Sequence, residues 1–366
     1  MSTSELPFVD LRPGDDDGDI RAAIDAVRAR GWFVLGPELE AFEAEFAAAS
    51  GARFAVGVGN GTDAITLLLR ASGIQPGDEV IVPGMTAAFT ALAVVAAGAR
   101  PVIVDVDPDT LLLDIAACER SLTPAVKAIV PVHLYGQPAD MPAVTRFAET
   151  HGLQIIEDCC QAHLATCGGR PVGTFGVGGA FSFYPTKNLA ALGDAGAILT
   201  NDATIATRVR LLRNGGQRHL YDHEQAGVNS RLDEVQAAIL RVRLARLPAH
   251  TARRRTIGRF YREQLASVVA IPPERDPGHV YHLFPIRSVL RDALRRHLTA
   301  AGIGALVHYP RSLSSQPAFA PYRRDSCAVA ERAAEELLSL PLNPRLSDED
   351  VTRVVAGVMS FAREAG

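Results

Sequence analysis

The sequence predicts an α/β protein of the doubly wound type, with a mostly parallel sheet of seven strands and a smaller C-terminal α/β domain. Apolar runs bounded by turn residues alternate with helical patterns from about residue 20 to residue 245. Near-continuous apolar strands are typical of parallel sheets, because such strands are buried on both faces. The predicted strands are Arg53–Val58, Glu79–Val82, Pro101–Val106, Lys127–His133, Leu153–Glu157, Gly179–Tyr184 and Gly196–Thr200.

Helical segments lie between these strands. The clearest are Asp63–Ser72, Thr86–Ala97 and Met141–His151, and turn residues at Gln75–Asp78 and Gly136–Pro138 separate helices from strands. Parallel strands need a crossover connection, which is usually a helix. The alternation therefore predicts a series of βαβ units packed into one sheet.

The pattern changes at Asn229. The run Ser230–Asp233 resembles an N-cap followed by an acidic residue three positions on, which is a signature of a helix start. It predicts a long amphipathic helix through Leu247. Pro248 is expected to interrupt this helix, because proline cannot donate the backbone hydrogen bond.

Two domains follow from this change of pattern, a large one over residues 1–247 and a smaller one over residues 248–366. The smaller domain has predicted strands near His282–Arg287 and Ala305–Tyr309. We expect the two domains to pack tightly, because no low-complexity linker lies between them.

Composition excludes several classes of protein. With 37 Lys and Arg against 41 Asp and Glu, the chain has no basic excess for nucleic acid or an anionic membrane. No apolar run reaches the roughly 18 residues that span a bilayer, and the first twenty residues lack the apolar segment of a signal peptide. The five cysteines lack zinc spacing, and His219 and His223 have no third ligand nearby, so no metal is expected. These features favour a soluble, cytoplasmic enzyme.

A glycine-rich turn over Gly57–Thr62 follows the first strand and precedes a helix. Backbone N–H groups at a helix N-terminus, together with the helix dipole, suit a phosphate group. A dinucleotide fingerprint is the alternative, but the third glycine is at 61 rather than 62. The turn alone leaves a phosphate site and a simple structural turn both open.

Two carboxylates, Glu157 and Asp158, end the fifth predicted strand. Ligands of open α/β sheets bind at the carboxyl ends of the strands. A carboxylate that points inward is costly without a cation, and a protonated pyridine nitrogen would be such a cation. The alternative is an acidic residue that caps a loop.

Lys187 lies just beyond a predicted strand, between Pro185 and a glycine-rich turn. A lysine at such a position can be desolvated, which lowers its pKa and makes the neutral amine available for a Schiff base. The alternative for Lys187 alone is a surface lysine. The combination of a phosphate turn, an acid and a lysine at strand ends favours the chemical interpretation.

Five motifs carry a specific resemblance: Gly59–Ala64, Pro131–Gln137, Glu157–Asp158, Phe181–Asn188 and Asn229–Glu234. Together they resemble the DegT/DnrJ/EryC1/StrS family, whose members are sugar aminotransferases of fold type I that depend on pyridoxal 5'-phosphate (PLP). The resemblance extends from about residue 7 to the C-terminus, and includes Gln316–Phe319 and Leu338–Pro341.

The resemblance implies roles for the residues that match these motifs. Lys187 would hold the cofactor through a Schiff base and then shuttle a proton between the substrate Cα and C4′ of the cofactor. Asp158 would pair with the pyridinium nitrogen, so that the ring acts as an electron sink. Gln161 would lie near the 3-hydroxyl of the ring. The residues that would bind the phosphate are Gly61, Thr62 and Ser182.

The same resemblance implies a homodimer with shared active sites. Asn229 would reach the phosphate of the cofactor in the neighbouring subunit. The residues implied to line the sugar pocket are His163, Tyr184 and Tyr221.

One departure from the family pattern is Ala87, which stands where the family has an aromatic residue that stacks on the cofactor ring. Phe89 follows two residues later. In a helix it would point about 200° away from Ala87, so we do not expect it to substitute simply. The ring face is therefore expected to be more open.

The runs Tyr184–Asp194 and Arg213–His223 resemble the branch of the family that aminates C3 of nucleotide-linked 3-keto-6-deoxyhexoses, with glutamate or glutamine as amino donor. The alternatives within the family are a 4-keto-sugar aminotransferase and a cyclitol (scyllo-inosose type) aminotransferase. From another class, a non-catalytic PLP-binding regulatory homologue is possible, although Lys187 and Asp158 argue against it. A nicotinamide oxidoreductase would leave Lys187 and Asn229 unexplained.

Overall fold

The computed structural model describes residues 5–324 and 326–365, and its elements alternate as the sequence predicts. The helices are α1 Asp17–Arg30, α2 Pro37–Ala49, α3 Gly61–Ala71, α4 Ala88–Ala96, α5 Ile115–Arg120, α6 Met141–His151, α7 Ala203–Arg213, α8 Glu234–Leu265, α9 Arg291–Ala300, α10 Ala328–Glu336 and α11 Asp348–Ala365. The strands are β1 Phe54–Val58, β2 Glu79–Pro83, β3 Arg100–Val104, β4 Val126–Ile129, β5 Gln154–Asp158, β6 Thr166–Cys167, β7 Arg170–Pro171, β8 Gly178–Ser182, β9 Gly196–Thr200, β10 Gln217–His219, β11 Asp222–His223, β12 Phe284–Arg287 and β13 Leu337–Leu340.

Seven of these strands form the main sheet, in the order β1-β9-β8-β5-β4-β2-β3. Six of them run parallel, and β9 is antiparallel to both of its neighbours, β1 and β8. Buried apolar side chains lie on both faces of the sheet, which is what near-continuous apolar strands require. The predicted α/β class and the mostly parallel seven-stranded sheet are confirmed.

The sheet brings three strand ends to one edge. Strand β5 is parallel to β8, and β1 has the same direction as β8 because β9 lies antiparallel between them. The glycine-rich turn after β1, Asp158 at the end of β5 and Ser182 at the end of β8 therefore share this edge. The fold places them together although they are far apart in the sequence.

The observed helix α8 differs from the predicted one in where it begins and in where it ends. It begins at Glu234 rather than at Ser230, because the Ser230 hydroxyl donates to the Asp63 carboxylate at 2.5 Å and accepts the Gly59 N–H at 2.9 Å. Pro248 does not interrupt the helix, which continues to Leu265. Its buried face packs on both sides of the proline, and this packing offsets the lost backbone hydrogen bond. The proposed domain boundary at residue 247 thus falls inside one continuous helix.

The C-terminal part has its own apolar cluster, which includes Tyr261, Phe284 and Val354. Its predicted strand near His282–Arg287 corresponds to β12, which pairs antiparallel with β13. The predicted strand Ala305–Tyr309 is wrong, because this segment forms only an isolated bridge between Leu306 and Ser339. Leu306 exchanges two backbone hydrogen bonds with Ser339 of β13, and the pairing does not extend to the residues on either side. Within the described residues, none of the helices combines the length and the apolarity needed to cross a bilayer.

A single buried carboxylate connects α8 to α2. The Glu234 side chain, which is fully buried, accepts the backbone N–H groups of Gly36 at 3.0 Å, Glu38 at 2.9 Å and Leu39 at 2.9 Å. These are N–H groups at the start of α2, where a helix has no internal partner for them. Glu234 therefore caps a helix from nearly two hundred residues away.

We predict that Glu234→Ala lowers the free energy of unfolding by about 3 kcal/mol, because three backbone donors lose their acceptor at once. Thermal unfolding followed by calorimetry measures this as a lower Tm. The matched control is Glu40→Ala, an exposed position on α2, which we expect to leave the Tm nearly unchanged. Equal Tm values for the two variants would contradict a capping role.

Candidate active site

A cavity of ≈ 770 Å³ opens at the shared strand edge. Seven of the residues predicted for the site line it: Gly61, Thr62, Asp158, Gln161, Ser182, Tyr184 and Lys187. The sheet therefore assembles a glycine-rich helix start, a carboxylate and a lysine around one space.

One end of the cavity is the N-terminus of α3. The Asn60 side chain accepts the Asp63 N–H at 2.8 Å, which leaves the N–H groups of Gly61 and Thr62 at the helix start for a ligand. A Cβ at Gly61 would lie 2.7 Å from the Cys160 Sγ and 2.8 Å from the Ser182 Cβ, so only glycine fits there. This narrow, dipole-assisted cradle suits a phosphate group.

Asp158 forms the second feature. It is only 6% exposed, its Oδ2 accepts the Thr90 hydroxyl at 2.8 Å, and its Oδ1 accepts the Cys160 N–H at 3.1 Å. The Thr86 hydroxyl lies 3.1 Å from that of Thr90. Because Thr90 donates to Asp158, Thr86 donates in turn to Thr90. No Lys, Arg or His of the described residues lies within 4.0 Å of this carboxylate, so its charge calls for a cationic ligand.

Lys187 is the third feature. Burial lowers the pKa of its amine, while the nearby Cys160 and Asp158 act in the opposite direction. The net lowering increases the fraction of neutral amine at a given pH. A neutral amine is the form that attacks a carbonyl carbon, so Lys187 has the environment of a nucleophile.

Gln161 is held at both ends of its amide. Its Oε1 accepts the Tyr135 N–H at 2.7 Å, and its Nε2 donates to the Tyr309 hydroxyl at 2.9 Å. Tyr309 also lines the cavity. Sequence reasoning missed Tyr309 and Thr90. Thr90 had a weak signal, since it lies four residues after Thr86 in the predicted helix Thr86–Ala97, whereas Tyr309 is 148 residues from Gln161 and had none.

These features fit PLP. The helix start suits its phosphate, the unpaired carboxylate suits its ring nitrogen, and the buried amine suits its aldehyde carbon.

Comparison with known proteins decides the family. The model of the DegT/DnrJ/EryC1/StrS aminotransferase family matches residues 15–359. The chain belongs to this family. It is 47% identical to dTDP-3-amino-3,4,6-trideoxy-alpha-D-glucose transaminase of Streptomyces venezuelae, over 98% of this chain and 97% of the relative. It is also 47% identical to the erythromycin biosynthesis sensory transduction protein EryC1 of Saccharopolyspora erythraea, over 98% of this chain and all (100%) of the relative.

Solved structures agree with this assignment. The crystal structure of S. venezuelae DesV matches with a TM-score of 0.95 and 46% identity, covering 98% of this chain and 99% of DesV. NtdA of Bacillus subtilis, with its cofactor PMP bound, matches with a TM-score of 0.92 and 31% identity, covering 99% of this chain and 86% of NtdA. The protein is therefore a PLP-dependent aminotransferase of the DegT/DnrJ/EryC1/StrS family.

The structure corrects the expectation, drawn from the family, that His163 lines the sugar pocket. It does not line the cavity but is fully buried behind β8, with its Nε2 2.9 Å from the Ser182 carbonyl oxygen. Its ring packs against those of Phe181 and Phe183. Burial lowers its pKa to about 3, so the ring is neutral. In this aminotransferase His163 contacts the strand that carries Ser182 and does not face the cavity.

Asn229 and Tyr221 also lie outside the cavity of their own chain. Both are exposed, and Tyr221, at 84% exposure, follows β10 in the hairpin that β10 and β11 form. Tyr184, by contrast, is half exposed and lines the cavity as expected. A role for Asn229 and Tyr221 in this family's site thus requires a second subunit.

Ala87 does not have the helical conformation that was assumed when its direction was compared with that of Phe89. Ala87 is the extended N-cap of α4 rather than a helical residue, so the angle of about 200° does not apply. Ala87 and Phe89 both line the cavity, and Phe89 is 62% exposed. The aromatic side chain of this wall is therefore present, displaced by two residues.

Glu157 lies on the opposite side of β5 from Asp158, as alternation along a strand requires. Its carboxylate accepts the N–H groups of Gly173 and Phe175, both at 2.7 Å, and lies 3.1 Å from the His133 Nε2. Cys159 is close enough to complete a group of three potential metal ligands. The His133 Nδ1 accepts the Ala139 N–H, so Nε2 carries the proton and donates to Glu157. These hydrogen bonds give the cluster a structural role.

We predict that Thr90→Val lowers kcat/KM by about tenfold, because Asp158 loses a hydrogen bond worth roughly 1.5–3 kcal/mol. Steady-state kinetics with purified protein measures the effect. The control is Thr200→Val, an equally buried threonine at the far end of β9 whose hydroxyl donates to the Val177 carbonyl. If both variants lost activity equally, the effect would reflect stability and not the Asp158 carboxylate.

Proposed function

We propose that this aminotransferase moves an amino group from glutamate or glutamine to a nucleotide-linked 3-keto-6-deoxyhexose, giving an amino sugar. The observation that carries the proposal is the cavity that joins Asp158, Lys187 and the start of α3. The relative named as a transaminase of a dTDP-3-amino sugar supports amination at C3.

When bound, PLP supplies an electron sink and a carbon that carries the amino group between the two substrates. Asp158 would keep the proton on the ring nitrogen by its negative charge, and Thr90 holds the carboxylate in place. Lys187 would provide a buried amine whose lowered pKa lets its Nζ take a proton from one carbon and deliver it to another. The N–H groups at the start of α3 and the Ser182 side chain would hold the phosphate.

The cavity also has room for more than the cofactor. Pockets of about 300–1,000 Å³ hold drug-sized ligands, and this one has ≈ 770 Å³. Tyr184 and Phe89, both at least half exposed, provide apolar surface with one hydroxyl at its walls. Such surface suits the ring of a deoxysugar, which has fewer hydroxyl groups than an ordinary hexose.

We propose a homodimer with shared active sites. Phe89 and Leu92 line the cavity and expose apolar surface, so the cavity wall is incomplete in one chain. Further exposed apolar side chains are Trp32, Phe33 and Leu192. Large exposed apolar side chains of this kind mark interaction surfaces. Asn229 of one chain would then reach the cofactor phosphate of the other.

The proposed location is the cytoplasm. All five cysteines are unpaired, and three of them are buried. Unpaired cysteines are typical of a reducing compartment.

A regulatory protein that binds PLP without turnover is the second candidate, because the relative EryC1 is named as a sensory transduction protein. Lys187 and Asp158 are both present and in one cavity, which favours catalysis. The two candidates differ in a simple spectroscopic experiment.

We expect PLP to give an absorption band at roughly 410–430 nm with the wild-type protein, and glutamate or glutamine to shift it to about 330 nm. The control variant Lys187→Ala should lack the band because it has no amine to attach the aldehyde. A band that neither amino acid changes would support the regulatory candidate. No band at all would overturn the proposed function.

The substrate is then tested with the amino form of the enzyme. Nucleotide-linked 3-keto and 4-keto hexoses and a cyclitol ketone are supplied separately, and recovery of the 410–430 nm band is followed. Fast recovery with the 3-keto sugar alone is expected. Preference for the 4-keto sugar or the cyclitol would replace the proposed substrate by one of the two alternatives.

The shared active site makes a separate prediction. Lys187→Ala and Asn229→Ala chains, each inactive alone, should recover about a quarter of the wild-type activity when co-expressed, because half of the random dimers would hold one intact site. Affinity tags of two kinds verify that mixed dimers form. Mixed dimers without activity would show that Asn229 acts in its own chain, and full activity of the Asn229→Ala variant alone would show that it acts in no site.

A further inference from the structure

Tyr309 belongs to a closed set of hydrogen bonds at one wall of the cavity. Its hydroxyl accepts from the Gln161 Nε2 at 2.9 Å, and the Gln161 Oε1 accepts the Tyr135 N–H at 2.7 Å. The Tyr135 hydroxyl donates to the carbonyl oxygen of His308, the residue before Tyr309, at 2.5 Å. The ring of contacts fixes the positions of both Gln161 and Tyr309.

The direction of these bonds follows from the backbone donor. The Tyr135 N–H can only donate, so the Gln161 atom that faces it is the oxygen, and the NH₂ group faces Tyr309. Tyr309 therefore accepts from Gln161 and keeps its own proton. No acceptor for this proton lies among the described residues, although Tyr309 lines the cavity.

The hydroxyl stays protonated over a wide range of pH. Burial raises the pKa of Tyr309, and the charges of Asp158 and Cys160 raise it further, while the bond from Gln161 opposes them. The Tyr309 hydroxyl is therefore protonated throughout this range, and its proton makes no hydrogen bond to the described residues.

A bound PLP presents three polar groups besides its aldehyde: the phosphate, the ring nitrogen and the 3-oxygen. The start of α3 suits the phosphate and Asp158 suits the ring nitrogen, which leaves the Gln161–Tyr309 pair for the third group. We propose that Tyr309 donates its hydroxyl hydrogen to the 3-oxygen of PLP, and so helps to set the protonation of the cofactor nitrogen bound to Lys187. This inference rests on the cofactor site described under the proposed function.

The effect on protonation has a definite sign. The 3-oxygen holds more negative charge when the nitrogen bound to Lys187 is neutral, because it no longer shares a proton with that nitrogen. A hydrogen bond from Tyr309 stabilises the neutral state more than the protonated one. Tyr309 therefore lowers the pKa of the nitrogen, and its removal raises this pKa.

The experiment uses PLP-loaded Tyr309→Phe and follows the pH at which the band at roughly 410–430 nm is lost. We expect an upward shift of about 1 pH unit and a loss of PLP affinity of about twentyfold, the size expected from one hydrogen bond to a charged acceptor. The matched control is Tyr261→Phe, which removes a buried tyrosine hydroxyl that donates to the Pro341 carbonyl in the C-terminal apolar cluster, away from the cavity. It should not shift the transition.

A second measurement isolates the proposed contact. Affinities of wild type and Tyr309→Phe are compared for PLP and for 3-deoxypyridoxal 5'-phosphate, which lacks the 3-oxygen. The substitution should weaken binding of PLP only. Equal weakening of both ligands, or equal shifts in Tyr309→Phe and Tyr261→Phe, would overturn the inference. Wild-type transamination, measured in parallel, shows separately whether the proposed function holds.

Discussion

The buried carboxylate of Asp158 is the constraint on which the rest of the site depends. Burying a carboxylate to this extent is costly unless it has partners. The Thr90 hydroxyl and the Cys160 N–H provide only some of the hydrogen bonds that its oxygens can accept. In the proposed function a protonated ring nitrogen would satisfy the rest, and Asp158 would then fix where that ring lies. The parallel pairing of β5 and β8 then brings Ser182 and Lys187 to the same ring.

The elements that form this edge could be predicted because their signals are local. Strand β9 and helix α6 have the same bounds in the structure as in the sequence prediction, since apolar runs and helical periods need no distant partner. The α/β class and the parallel sheet follow from the alternation of these signals. The glycine-rich turn, Asp158 and Lys187 could be predicted from their places at strand ends, whereas the family resemblance implied Gln161, Ser182 and Tyr184; all of them line one cavity.

The rest depends on contacts that spacing does not reveal. Glu234 was part of a recognised motif, but its bonds to the start of α2 join residues nearly two hundred positions apart. Pro248 remains inside α8 because tertiary packing outweighs one lost hydrogen bond. His163 matched the pattern of a pocket residue, yet its neighbours Phe181 and Phe183 bury it behind the sheet. In each case a long-range contact determines the structure, and the local sequence pattern does not reveal that contact.

The site has Ala87 where the family has a stacking aromatic residue, and Phe89 lies two residues later. The energies of the other contacts explain why this replacement is tolerated. A stacked aromatic contributes roughly 0.5–1.5 kcal/mol, which is less than the phosphate contacts, the Asp158 charge and a covalent bond to Lys187 together. A site with these anchors tolerates a methyl group at Ala87, the N-cap of α4. Phe89, mostly exposed on the first turn of α4, presents its ring to the open part of the cavity instead. The aromatic surface of this wall is thereby available to whatever enters the cavity after the cofactor.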